Sequence, residues 1–328
     1  MPTAENAKLE YEGGQNYTAM SALTDSGDLT TFTSSASRWS QRSGYSPVIR
    51  PNGIITGGVV SVAASGSDDV VDVTAVSCNL NGVVTAVSAG TDLALTRPAT
   101  AVAKVNSVTV NSSGALAVVA GTDSLSSAFS ETRGAAGGPP YIPVDSIEVA
   151  QVRMTSDTSA AITAAEIFQV IGTHRETAMY PDYTVNYLTG GITFLAALQA
   201  SHTGDEGKAV YASYAAPIFA EVGLASDFVP PETTHSVNST QIYNTTLGST
   251  TSTLGQGSFT AYLNDGVTDT LVDLKNEILF FRFYPDRYKT PYMIVQGKLG
   301  VGRSFPAGDN ILASCTISAE QAGVEYSS

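Results

Sequence analysis

Short runs of β-branched residues, separated by glycine, asparagine, serine and aspartate, recur through most of this sequence at intervals of about ten residues. Residues 70–76 form one such run. The Asn81-Gly82 pair that follows is a strong signal for a hairpin turn, because both residues tolerate a positive φ. A second hairpin is predicted where residues 183–188 and 192–195 flank a Thr-Gly-Gly turn. This rhythm is typical of β-sandwiches and barrels, and it predicts a mainly β protein.

Three segments depart from this rhythm. Residues 269–277 predict a short α-helix, because Thr268 or Asp269 can cap it and its leucines recur at helical spacing. Residues 233–257 are rich in serine, threonine and asparagine, and they predict a long loop or an extended arm. Residues 161–171 are compatible with either a strand or a short helix.

The low and acidic charge of the chain excludes several classes of protein. Charged residues make up 14% of the sequence, against roughly 25% in a typical soluble domain. With 16 basic and 30 acidic residues, the chain lacks the Lys and Arg with which nucleic-acid binders neutralise phosphates. No apolar run approaches the ~20 residues of a membrane span. The polar residues 1–10 do not resemble a signal peptide. We therefore expect no specific nucleic-acid binding and no membrane association.

Residue types that carry chemistry are few and scattered. Cys78 and Cys315 stand far apart without a C-x-x-C motif, and the spacing of the three histidines matches no metal site: His174, His202 and His235. Asp68, Asp69 and Asp72 form the tightest acidic group in a strand context. Adjacent strand residues point to opposite faces, so Asp68 and Asp69 make a poor catalytic pair. We expect no enzyme activity, no cofactor and no metal site.

The C-terminal third has a recognisable order of elements. Strand, short helix and three further strands follow one another over residues 257–262, 271–277, 279–284, 292–301 and 311–318. This order resembles the major tail proteins, or tail tube proteins, of long-tailed, non-contractile (siphovirus-type) bacteriophages. The resemblance implies a β-sandwich or barrel with a short flanking α-helix. It also implies assembly into rings, usually hexamers, that stack into a tail tube through which the genome is ejected.

The resemblance also suggests a division of the chain. Residues 221–328 are predicted to form the tail-tube-like β domain, with its helix at about 269–277. Residues 1–48 are predicted to form an N-terminal arm or a part of that domain. Residues 49–220 predict an additional β-rich, sandwich-like domain, which is either an insertion that decorates the tube or a second tube-like domain. With two tube-like domains per chain, three chains would build a ring with six-fold pseudosymmetry.

A structural virion protein of this kind is expected in the phage tail after synthesis in the host cytoplasm. Its implied partners are copies of itself, a tape-measure protein in the lumen, and the tail terminator and tail-tip proteins. DNA is expected to pass without specific binding, which an acidic lumen favours because it repels phosphates. The alternative is another virion component, namely a head decoration protein, a tail terminator or a fibre domain.

Assembly residues are predicted in the most hydrophobic strand and in the arginines near it. The phenylalanines are expected to fill the sandwich core or a lateral contact, and the arginines to bridge to acidic residues of a neighbouring subunit: Phe280, Phe281, Arg282, Phe283, Arg287 and Arg303. Residues 1–48 and 233–257 are further candidates for contacts between stacked rings.

Overall fold

The structure, a computed structural model, describes residues 6–169, 176–178, 182–198 and 208–327. Among the described residues, strands account for 51% and helices for 2%, which confirms the prediction of a mainly β fold. The chain groups into two compact units that are interleaved along the sequence, whereas the sequence interpretation placed its boundaries at residues 48 and 220. The first unit comprises Met1–Thr18, Arg38–Ser46 and Tyr214–Ser328, and the second comprises Ala19–Ser37 and Pro47–Ser213.

One large sheet runs through the first unit. Its strands follow in the order Ala225–Val229, Gly257–Tyr262, Leu312–Ala319, Tyr292–Ser304, Ile278–Tyr284, Lys8–Ala22 and Val210–Glu221, and Val324–Tyr326 pairs with the start of Tyr292–Ser304. Phe281 lies opposite both Tyr11 and Val295 in the ladder. Because strand residues alternate between faces, one face of this sheet supplies residues to one apolar core, which includes Phe259, Leu279, Phe281, Leu299, Cys315 and Ile317.

The predicted helix is present but much shorter than expected. It spans Thr270–Asp273, whereas the sequence predicted residues 269–277. Asn276 adopts a φ of 72° and donates its N–H to the carbonyl of Leu299 at 2.8 Å. The N–H of Leu299 in turn donates to the carbonyl of Glu277 at 2.9 Å. Pairing with the sheet therefore ends the helix, because these backbone groups cannot serve both elements.

The serine- and threonine-rich segment forms a long β-hairpin, so of the two predicted alternatives the loop is wrong and the extended arm fits. Strands Thr233–Ile242 and Thr245–Leu254 pair antiparallel over ten residues each. Asn244 adopts a φ of 65° in the connecting turn. Threonine is β-branched and favours the extended backbone even where nothing covers its side chain. We call the residues from Thr233 to Leu254 the hairpin arm.

The second unit contains several smaller antiparallel sheets. One has the strand order Gly90–Ala94, Val70–Val73, Val60–Val62. Another has the order Leu116–Ala120, Lys104–Val110, Ile147–Met154, Ile167–Phe168. A third has the order Gly53–Gly57, Val76–Leu80, Val83–Val87. A fourth has the order Tyr183–Asn186, Gly191–Phe194, Thr31–Thr33, Thr24–Asp25. Strand Val48–Pro51 pairs with the first residues of Val210–Glu221. A second apolar core includes Val71, Cys78, Val108, Ile147, Val152 and Met154.

The segment that was ambiguous from the sequence contains both kinds of structure. A single 3-10 turn spans Ala164–Glu166, and the strand Ile167–Phe168 follows it directly. Residues 170 and 171 lie outside the described residues. The hairpin predicted around residues 183–195 is confirmed by the pairing of Tyr183–Asn186 with Gly191–Phe194.

The hairpin turn predicted at Asn81-Gly82 is also confirmed. Their φ angles are 52° and 75°, the positive values that a two-residue type I′ turn requires. Gly82 is in addition tightly enclosed. A β-carbon built there would lie 2.3 Å from the side chain of Met20 and 3.0 Å from Cβ of Tyr211.

Two glycine substitutions separate backbone strain from crowding. Gly82→Ala is expected to lower the free energy of unfolding by about 2–4 kcal/mol, since the left-handed backbone and the collision with Met20 both oppose it. Gly27 has a φ of 97°, and nothing lies within 4 Å of the place that a β-carbon would take there. Gly27→Ala is therefore expected to cost only the conformational part, about 1–2 kcal/mol. Urea unfolding of both variants measures the difference, and equal losses would contradict the crowding at Gly82.

A fully buried carboxylate lies at the centre of the second unit. Glu148 is completely shielded from solvent and accepts hydrogen bonds from the hydroxyl of Ser107, the guanidinium of Arg133 and the side-chain amide of Gln151. Burial raises the pKa of Glu148 and the positive charge of Arg133 opposes that shift. The ion pair with Arg133 thus offsets part of the free-energy cost of burying this carboxylate.

Removing Arg133 should reveal the free-energy cost of burying the carboxylate of Glu148. Arg133→Met is expected to lower the free energy of unfolding at pH 7 by about 3–5 kcal/mol, because an unpaired charge remains buried. The loss should shrink at acidic pH, because the raised pKa of Glu148 makes its carboxylate easier to protonate there. Adding Glu148→Gln to the variant should restore most of the stability. Urea unfolding at pH 5 and pH 7 measures these effects, and an unimproved double variant would contradict the explanation.

Candidate assembly surfaces

Two of the predicted assembly residues lie inside the first unit. Phe280 and Phe281 are completely buried on opposite faces of strand Ile278–Tyr284. Phe281 packs against Phe259 with ring centroids 5.7 Å apart, and the N–H of Phe280 donates to the carboxylate of Glu12 at 3.2 Å. These side chains build the unit itself and are not available to another molecule.

Phe283 lies at the margin of the same core. It is half-buried and stacks on Phe228, with ring centroids 4.7 Å apart and planes 21° from parallel. Both rings border an open cavity at the end of the first unit. Of the three predicted phenylalanines, Phe283 is the one that retains an accessible surface.

Arg282 is held within its own chain. Its guanidinium pairs with the carboxylate of Glu10, which also pairs with Lys8, and it stacks on the ring of Phe219 at 4.2 Å. Although burial raises the pKa of Glu10, the hydrogen bonds from Lys8 and Arg282 outweigh it and hold that pKa below its usual value. The arrangement fixes Arg282 on the sheet.

Arg287 and Arg303 also have acceptors in their own chain. Arg287 lies 3.1 Å from the carboxylate of Glu221 and donates to the carbonyl of Ala7, while remaining 41% exposed. Arg303 donates to the carbonyl of Gly266 at 2.6 Å and is exposed. Exposed ion pairs contribute little to stability, so Arg287 can exchange its partner. Their role as bridges to a neighbouring subunit stays a prediction.

A second buried carboxylate, which the sequence analysis did not identify, lies on the sheet of the first unit. Glu12 is fully buried and accepts hydrogen bonds from the hydroxyl of Ser40 and the N–H of Phe280. Burial raises the pKa of Glu12, and these hydrogen bonds together with the charge of Arg42 oppose the shift only in part. An alternating Leu-Glu-Tyr-Glu sequence signals a half-polar strand but does not reveal that its polar face is covered.

Glu12 should make stability depend on pH. Its pKa is higher in the folded state, so its contribution is most favourable below about 4.5 and declines as the pH rises through the folded value. Glu12→Gln removes the ionisation. Its amide oxygen can accept from the N–H of Phe280, whereas its amide nitrogen can only donate, so the bond from the hydroxyl of Ser40 is lost or reversed. The variant is therefore expected to show a flatter pH profile than the wild type. Thermal unfolding between pH 4 and pH 8 measures this.

The exposed Glu232 provides the matched control. Glu232→Gln is expected to leave the pH profile as it is in the wild type, because the side chain is solvated in both states. A Glu12→Gln variant whose stability declined with pH as steeply as that of the wild type would contradict the assignment to Glu12.

The hairpin arm is the most exposed element of the first unit. Every described side chain from residue 233 to residue 253 is exposed, including Val237 at 73% and Tyr243 at 102%. Its two strands pair only with each other among the described residues. It contains no Asp, Glu, Lys or Arg, and His235 is its only ionisable group apart from Tyr243. The arm thus presents an uncharged surface on both faces of a two-stranded ribbon.

Searches for a ligand site and for relatives add no further candidate. Within the described residues, no three His, Cys, Asp or Glu side chains lie close enough together to bind a metal ion. His174 and His202 lie outside those residues. No helix in the described part of the chain has the length and apolar character to cross a membrane. No protein-family model matches the sequence, and a search of curated proteins finds no match either.

Proposed function

We propose that this protein is a structural virion protein that assembles with copies of itself into stacked rings of a bacteriophage tail tube. The hairpin arm is the observation that carries the self-assembly part of this proposal. The order of the C-terminal strands supports the tail-tube part through its resemblance to that family. The protein acts by packing and not by catalysis.

The arm needs a partner for physical reasons. An isolated two-stranded hairpin is marginally stable in water, because it buries little apolar surface. Ten residue pairs give the arm a length of about 34 Å. Residues at the base of the arm therefore cannot cover most of its side chains. Packing against a second molecule would bury this surface and offset the entropy lost in ordering it.

Charge favours the arm as the site of contact between copies. The net charge of −14 makes copies of the chain repel one another. An arm without charged side chains can approach an acidic neighbour without adding to this repulsion. The polar hydroxyls of its serines and threonines can then hydrogen-bond across the interface.

Assembly into a tube also implies the lumen and the other proposed partners. Rings of six subunits, or of three with two tube-like domains each, would enclose a lumen that holds the tape-measure protein. DNA would pass through that lumen without specific binding, because acidic walls repel phosphates. Tail terminator and tail-tip proteins would cap the two ends.

Introducing a charge on the arm tests this role. Val237 is exposed and lies opposite Thr250 in the hairpin. Val237→Glu is expected to raise the concentration needed for assembly about tenfold, which corresponds to 1.4 kcal/mol. The neutral, β-branched Val237→Thr should leave that concentration unchanged. Negative-stain microscopy and sedimentation velocity measure assembly, and the effect of Glu should weaken in 1 M salt, where the Debye length is about 3 Å.

Two outcomes would contradict the proposal. A wild-type protein that stays monomeric at high concentration, without rings or tubes, would exclude the tail tube function. Tubes that form equally well from Val237→Glu and Val237→Thr would exclude the hairpin arm from the subunit contacts.

A further inference from the structure

An open aromatic cavity lies at one end of the first unit. Its volume is about 470 Å³, and we call it the aromatic cavity; its walls include Phe228, Phe283, Tyr292, Met293, Glu325 and Tyr326. Two stacked pairs form these walls. Phe228 lies on Phe283, and Tyr292 lies 5.0 Å from Tyr326 with planes 15° from parallel. The guanidinium of Arg38 stacks on Tyr326 at 5.0 Å and donates to the hydroxyl of Tyr292 at 3.1 Å. The walls are therefore preorganised around an unfilled apolar space.

The tip of the hairpin arm carries a matching group. Tyr243 is fully exposed beside the turn residue Asn244. Fully exposed aromatic side chains are costly to leave in water, and a tyrosine loses little conformational entropy when it is bound. The aromatic cavity offers rings for edge or stacked contacts, and the carboxylate of Glu325 provides an acceptor for a phenol hydroxyl.

The tip cannot fill the cavity of its own chain. Pro230 lines the cavity, and the arm begins three residues later at Thr233. Ten consecutive residue pairs then hold the arm extended, which places Tyr243 about 34 Å from the base of the arm. The aromatic cavity of a second copy is a partner of matching chemistry that the chain itself provides.

We propose that Tyr243 of one copy inserts into the aromatic cavity of a second copy. The neutral arm brings no charge close to Glu325 or to the guanidinium of Arg38 at the cavity wall, so its approach meets no like-charge repulsion. Each copy carries its tip and its cavity at different places, so the contact is heterologous and repeats from copy to copy. This contact rests on the proposed function, since it specifies how the hairpin arm meets its neighbour.

Removal of the tip provides the first test. Tyr243→Ser is expected to raise the concentration needed for assembly about 30-fold, the effect of losing an interface hot spot of about 2 kcal/mol. Leu125→Ser is the matched control, because Leu125 is an equally exposed apolar side chain in the second unit. It should assemble like the wild type. Sedimentation velocity measures both variants.

A cysteine pair tests the contact directly without disturbing the core. Ser327 is exposed and lines the aromatic cavity, and the native Cys78 and Cys315 are buried. Thr245→Cys combined with Ser327→Cys keeps Tyr243 at the tip and should give ladders of disulfide-linked chains after mild oxidation with added diamide, because Thr245 is exposed and directly follows the turn residue Asn244. Val237→Cys combined with Ser327→Cys should give far fewer links, because residue 237 lies midway along the arm.

The outcomes separate this contact from the wider proposal. Weak assembly of Tyr243→Ser, together with ladders only from the double variant that carries Thr245→Cys, supports it. Normal assembly of Tyr243→Ser, or equal linking from positions 245 and 237, overturns the contact and leaves the tail tube function standing. A wild-type protein that does not assemble overturns both.

Discussion

The buried carboxylate of Glu148 is the interaction around which the second unit is organised. The backbone N–H of Glu148 donates to the carboxylate of Glu176, and the backbone carbonyl of Glu148 accepts from the N–H of Glu176. The carbonyl of Glu176 in turn accepts from the N–H of Ile54. Strand Ile147–Met154 is thereby joined to strand Gly53–Gly57 through a segment that belongs to neither sheet. A charge at this junction requires Arg133 to remain in place, so the loop that carries Arg133 is fixed by the needs of the core.

The first unit limits strand pairing at one edge of its large sheet. Its edge strand Ala225–Val229 contains a bulge, with Asp227 at a φ of 56° and a register shift between Ser226 and Val229. Such a bulge, with a charged residue in it, prevents another strand from adding to the edge. The hairpin arm has no comparable protection along its length. The proposed self-association would therefore use the arm and not this sheet edge.

Local signals explain which elements were predictable. The Asn81-Gly82 turn depends on the conformational tolerance of two residues, so the sequence is sufficient to locate it. The helix was predicted too long because its last turn competes with Leu299, a residue whose approach no local pattern reveals. The strand pairing of the hairpin arm was not predicted, and a long loop or an extended arm was expected instead, because its polar side chains lack alternation, although its threonines favour strands. The buried state of Glu12 depends on Ser40 and Phe280, which lie far away in the sequence.

The sequence by itself determined the β class, the two tight hairpins and the acidic, weakly charged character of the chain, because these properties follow from single residues and their immediate neighbours. Only the tertiary structure decided what the predicted assembly residues contact. It buries Phe280 and Phe281, pairs Arg282 with Glu10 and Arg287 with Glu221, and creates the aromatic cavity from strands distant in the sequence. Such contacts depend on how sheets pair over long range, which the local pattern of residues does not encode.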